Sequence, residues 1–263
     1  MSEAPGGTSA SLAAPSTDAT QLAAGFLAAV PLFLAYELGL ALGAEAAARS
    51  TAERVVDRAL VPLGERATWV RCAALCIAAV LSYVHLRSRE GLAPADLGRR
   101  LSRSVAEGGI AGIVLGPLLV FSVQWLGAAP LVAASEAPRS AALTLRLVGA
   151  APWEEVLFRL GVFSLVFLVH ERIARFLGVP RAVSRLTAEW LAFLGSSLAF
   201  ALFHLQAFQQ LLGSSGEPFH AGLFLWRVTA GLFLAALFRW RGLGVSSWAH
   251  AVFNLGIALG VRP

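Results

Sequence analysis

The sequence predicts an all-α bundle of about seven to eight membrane-spanning helices, and three observations carry that expectation. Hydrophobic residues make up 57% of the 263 residues and charged ones only 14%, with a mean hydropathy of +0.70, which no ordinary soluble domain requires. The apolar residues gather into runs of about 20, the length at which a helix crosses hydrocarbon with its backbone N–H and C=O groups paired within the segment. The loops between these runs alternate between arginine-rich and arginine-poor.

Residues 1–19 are rich in Ala, Ser, Thr, Gly and Pro and carry no basic residue, which predicts a short disordered tail rather than a signal peptide. Spans are expected near 21–44, 67–85 and 107–127, the N-terminal transmembrane helices of a segment 20–140. A fourth run, 142–170, is long enough to be tilted or broken, and Pro152 sits where a break would fall. Runs at 188–210, 219–238 and 244–261 complete a second segment, 141–263.

All 21 basic residues are arginine. Arg87, Arg89, Arg99, Arg100 and Arg103 follow the second run, Arg172, Arg175, Arg181 and Arg185 the fourth, and Arg239 and Arg241 the sixth. The loop at 128–140 holds only Arg139, that at 211–218 holds none, and the one at 45–66 mixes both signs. By the positive-inside rule the rich loops and the N-terminus are cytoplasmic, which predicts a multi-pass protein of the cell membrane. The net charge of +5 reflects this sidedness and attraction to the lipid bilayer; no basic soluble domain offers itself to nucleic acid. The absence of lysine and the abundance of Ala, Arg, Leu and Gly suggest a bacterial source, hence an inner membrane. Cys72 and Cys76, four apart on one apolar face, suit core packing rather than redox or zinc chemistry.

Three polar clusters interrupt the apolar runs, and ionisable groups at membrane depth are costly enough to mark a functional site. Glu154 and Glu155 are adjacent in a helix, about 100 degrees apart around its axis, and so face different ways. Arg159 lies four residues after Glu155, where helical side chains meet, so these two can neutralise each other and leave Glu154 free to take a proton from water. A structural ion network is the alternative. Phe200 and His204 end the fifth run. His250 and Asn254 share a helix face at i and i+4, as donors to a carbonyl oxygen that gains negative charge or as an interhelical clasp.

Gly213-Ser214-Ser215-Gly216 fits the short Gly-x-Ser-Gly pattern of rhomboid serine proteases but reads as a loop turn before Pro218. Asp18, Asp57 and Asp96 all fall outside the runs, which disfavours aspartyl intramembrane proteolysis. A proton-coupled transporter or non-catalytic scaffold would also use intramembrane Glu and His, although neither repeated halves nor paired broken helices are evident. For Arg71, which could also snorkel outward, and for Arg146 and Arg227, which could also bind substrate, structural pairing is the better reading.

Glu154-Glu155-x-x-x-Arg159, Phe200-x-x-x-His204 and His250-x-x-x-Asn254, in this order on successive hydrophobic helices, resemble the motifs of the CAAX-protease and bacteriocin-processing (Abi) family of intramembrane endopeptidases. The resemblance runs from the fourth run to the C-terminal one and makes 141–263 the catalytic core. It implies that Glu154 with His204 activates the attacking water, that His250 and Asn254 form an oxyanion hole, and that Glu155, Arg159 and Phe200 support the site. It implies no cofactor in the favoured mechanism; the zinc alternative would take Glu154, His204 and His250 as ligands. The expected partner is a membrane-anchored protein or peptide substrate, prenylated or not, and the oligomeric state is left open.

Overall fold

The computed structural model describes residues 19–43, 51–91, 93–126, 140–211 and 216–259, except the side chains of Thr51, Glu53, Arg54, Asp57 and Glu65. The expected tail, apart from Ala19, and Gly213–Ser215 of the serine-protease pattern lie outside these residues. The described chain is helical: α1 (Ala19–Ala41), α2 (Thr51–Leu60) with a 3-10 segment to Arg66, α3 (Ala67–Glu90), α4 (Pro94–Trp125), α5 (Ala141–Glu155), a π-helical segment (Val156–Phe163), α6 (Ser164–Phe176), α7 (Arg181–Leu202), α8 (Gln206–Leu211), α9 (Ala221–Arg241) and α10 (Leu243–Ala258). Four of these, α1, α3, α4 and α9, are long and apolar enough to cross a membrane.

The short helix α10 is central, packing against α1, α4, α5 and α9, while α7 packs against α6, α9 and the π segment. Small residues make these approaches possible, as they do where no hydrophobic force separates helix from lipid. A Cβ on Gly112 of α4 would stand 2.5 Å from the Ala249 carbonyl oxygen and 2.8 Å from the Val252 Cβ of α10. On α1, Pro31 removes a helical N–H donor and loosens the preceding turn. The Ala28 carbonyl in that turn accepts a hydrogen bond from Trp248 Nε1 at 2.7 Å.

Antiparallel packing gathers the arginines at one end of the bundle. There the ends of α3 and α4 are joined by Arg100 and Glu90 at 2.7 Å, those of α6 and α7 by Arg185 and Glu171 at 3.2 Å, and α9 meets α7 and α4 through Arg239–Glu189 and Arg241–Glu107. Just inside that end lies an apolar cluster of Phe163, Phe167, Ala188, Ala192, Ala235, Phe238 and Leu243.

The outer surface carries apolar residues that a soluble bundle would bury. On α3, Trp69, Ile77, Val80 and Leu81 all face outward, and only Arg71 and Leu86 are buried. One sequence expectation is corrected by this peripheral placement. Cys76 is exposed and Cys72 half-buried rather than packed in the core. Arg71 turns inward, bonding Glu37 at 2.7 and 2.9 Å and lying over the Tyr36 ring, because its guanidinium charge finds a carboxylate on α1 and none on the lipid-facing side. Pro152 is likewise not a break: it is buried inside α5, and the helical geometry changes only after Glu155.

Candidate active site

The first polar motif sits at the junction of two helical geometries. Glu154 and Glu155 are the last residues of α5, and Arg159 lies in the π segment that follows. Such segments insert an extra residue per turn, re-aim the side chains within them, and are frequent at functional sites. Glu155 and Arg159 are fully buried and form the ion pair their spacing predicts, with Arg159 Nε 3.5 Å from Glu155 Oε2. The guanidinium lies over the Phe200 ring, 5.2 Å from its centroid, so an aromatic face supplements a carboxylate whose distance is too long for a hydrogen bond.

Helix α10 brings the third motif to the first across 95 residues of sequence. His250 Nδ1 lies 3.0 Å from Glu155 Oε1, and its Nε2 lies 3.5 Å from Glu154 Oε2. One imidazole therefore stands between the two carboxylates. Carboxylate oxygens accept only, so the ring nitrogen facing Glu155 is the donor. Asn254, one turn further on, donates from Nδ2 to the Leu147 carbonyl of α5 at 3.1 Å, which leaves its second amide hydrogen for another acceptor.

The second motif joins from α7. Phe200 is buried and packs edge-on against Phe158 at 5.3 Å, His204 at 4.8 Å and His250 at 5.9 Å, so its ring is the common wall of the cluster. His204 lies just past the end of α7 and donates from Nδ1 to the Phe200 carbonyl at 2.7 Å. A carbonyl only accepts, so this bond fixes the neutral tautomer with Nε2 as the free acceptor.

Arg227 of α9 is within electrostatic reach of both Glu154 and His204. Its Nη2 pairs with Glu217 Oε2 at 2.5 Å, the pairing alternative expected for it. Nothing in the sequence singles out Glu217, since ten residues and a loop separate the two and no helical spacing flags them. The Glu217 backbone is bridged to the end of α7, donating to the His204 carbonyl at 3.1 Å and accepting from the Gln206 N–H at 2.8 Å. Gly216 allows this approach: a Cβ there would meet the Gln206 nitrogen at 2.7 Å.

The zinc alternative does not fit. Among the described residues no group of three or more His, Cys, Asp or Glu is arranged to hold a metal ion.

Residues 137–256 match the family described as Rce1-like, type II CAAX prenyl endopeptidase Rce1-like. That interval contains all seven motif residues, and the family it is similar to is the CAAX-protease family that the motifs resemble. No curated protein and no solved structure matches the chain.

Proposed function

We propose, from the Rce1-like assignment of residues 137–256, that this chain is an intramembrane endopeptidase that hydrolyses a peptide bond of a membrane-anchored protein or peptide with glutamate-activated water. The observation that carries the reading is the convergence of three motifs from three helices on His250, which touches Glu154 and Glu155 and packs against Phe200.

Glu154 accepts a proton from a water whose other hydrogen is held by His204 Nε2, and the hydroxide adds to the carbonyl carbon of the substrate. The resulting oxyanion is held by His250 and by the second N–H of Asn254. Glu154 then returns its proton to the amide nitrogen as the C–N bond breaks, releasing a carboxylic acid and an amine. Glu155 and Arg159 fix His250 in place, and Phe200 walls the cluster. The whole helical chain would cross the membrane about seven to eight times, with α5 to α7 and α10 completing the four long apolar helices. A bacterial inner membrane suits the composition.

Glu154→Gln tests the reading because it keeps the shape and removes the base. Purified Glu154→Gln should unfold at the wild-type temperature while losing a hundredfold or more of its cleavage rate, and cells carrying it should accumulate an uncleaved precursor. Wild-type cleavage by this variant would sink the assignment of Glu154.

A further inference from the structure

We propose that Glu217 is a positioning residue for His204: its backbone and its ion pair with Arg227 together strap the turn that carries the imidazole to helix α9. The inference rests on the proteolytic reading for what His204 does, and on contacts alone for how His204 is held.

His204 stands where a helix is weakest. It lies past the last residue of α7, and its N–H donates to the Ala201 carbonyl at 3.3 Å, a tightened turn in place of the regular helical bond. Helix ends leave carbonyls without a partner in the helix, and a terminal turn frays unless those groups are held from elsewhere. Here the chain supplies the partners one by one. The Phe200 carbonyl accepts from His204 Nδ1 at 2.7 Å, that of Phe203 from the Gln209 side chain at 2.5 Å, and that of Leu205 from the Phe208 and Gln209 N–H groups at 3.0 Å. These bonds are local, so they shape the turn without tying it to another helix.

Glu217 supplies the tie. Its N–H donates to the His204 carbonyl at 3.1 Å and its carbonyl accepts from the Gln206 N–H at 2.8 Å, so it grips the chain on both sides of Leu205. Gly216 leaves no slack in this grip, since a Cβ there would stand 2.6 Å from Gln206 Cα and 2.7 Å from Gln209 Cγ. The Glu217 side chain reaches the other way, with Oε2 2.5 Å from Arg227 Nη2.

Arg227 is a firm anchor. Gly231, four residues on and therefore on the same face of α9, is where that helix touches α7: a Cβ there would stand 2.9 Å from Ser197 Cα and Cβ. Arg227 is thus held about 6 Å along from a close contact, level with the last turn of α7. Glu217 is 48% exposed and Arg227 14%, so the pair adds little to stability and its value lies in where it holds the turn. That matters for catalysis, because misplacing a reacting group by about 1 Å can cost on the order of a hundredfold in rate.

Purified full-length variants test the proposal, with the precursor that accumulates in cells carrying Glu154→Gln as substrate and histidine-selective nitrogen NMR as a readout that needs no substrate. Glu217→Gln keeps the shape and both backbone bonds and removes only the charge. Its kcat should fall about five- to fiftyfold, with KM within about twofold and the unfolding temperature within about 3 °C of wild type. The His204 signals, identified by their loss in His204→Gln, should broaden or split as the turn samples more than one position, while those of His250 stay sharp. Arg227→Gln removes the pair and also a positive charge within reach of Glu154, so it should be at least as slow. The double variant should then be no slower than Arg227→Gln alone, because the two residues act as one unit. Gly216→Ala should lower kcat in the same way, and it reads the strap where Glu217→Gln fails to accumulate. Wild-type kcat with unchanged His204 signals in Glu217→Gln, a loss that appears in KM instead, or losses at Glu217 and Arg227 that multiply would overturn the inference. Wild-type cleavage by Glu154→Gln would remove the proteolytic reading while the NMR comparison still reports on the strap, so the two failures are separable.

Discussion

Glu155 and Arg159 are buried together with His250 in a region where an uncompensated charge costs several kcal/mol, so their value lies in mutual neutralisation rather than in net attraction. Removing Arg159 strands the Glu155 carboxylate. Arg159→Met should therefore destabilise the protein by about 3–5 kcal/mol, read from unfolding in detergent, and Glu155→Gln in the same chain should recover part of that loss. Two single-variant losses that simply add would mean that the 3.5 Å pair is not coupled. Among the described residues no group of three or more His, Cys, Asp or Glu is arranged to hold a metal ion, which disfavours the zinc alternative. Chelators such as EDTA and phenanthroline should leave the cleavage rate within twofold of its starting value. A rate abolished by chelation and restored by zinc would replace the glutamate mechanism.

Helix α10 places His250 only as well as α4 lets it approach. Gly112 sits where any side chain meets the α10 backbone, whereas Gly109, on the other side of α4, faces open space. Gly112→Ala should cost about 1–3 kcal/mol through overpacking and lower cleavage, since Ala249 and His250 are adjacent on the displaced turn. Gly109→Ala on the same helix should be neutral or stabilising by up to about 1 kcal/mol, because alanine favours helix and nothing is displaced. Equal effects at both positions would show that α4 and α10 do not depend on close contact. The π segment acts at the same scale. By changing the geometry directly after Glu155 it sets the angle at which Arg159 meets both that carboxylate and the Phe200 ring.

The outward-facing apolar surface of α3 separates a membrane bundle from a soluble one. Val80 is 61% exposed, so in water an arginine there would be harmless, but near the middle of a bilayer it costs about 2.5–3.5 kcal/mol. Val80→Arg should reduce the amount of chain recovered in membranes; unchanged recovery would place α3 outside the lipid. The membrane character, the helical class and the Glu155–Arg159 pair were legible in the sequence, because composition, run length and i,i+4 spacing are local properties that survive without knowledge of the fold. The three motifs were legible as candidates for the same reason. What the tertiary structure alone decided is which motifs meet: His250 between two carboxylates 95 and 96 residues away, Arg71 turned in to Glu37, and Arg227 held by Glu217. Those contacts depend on which helix faces can approach one another, and that is fixed by the small residues and aromatic walls of several helices at once, not by the spacing within any one of them.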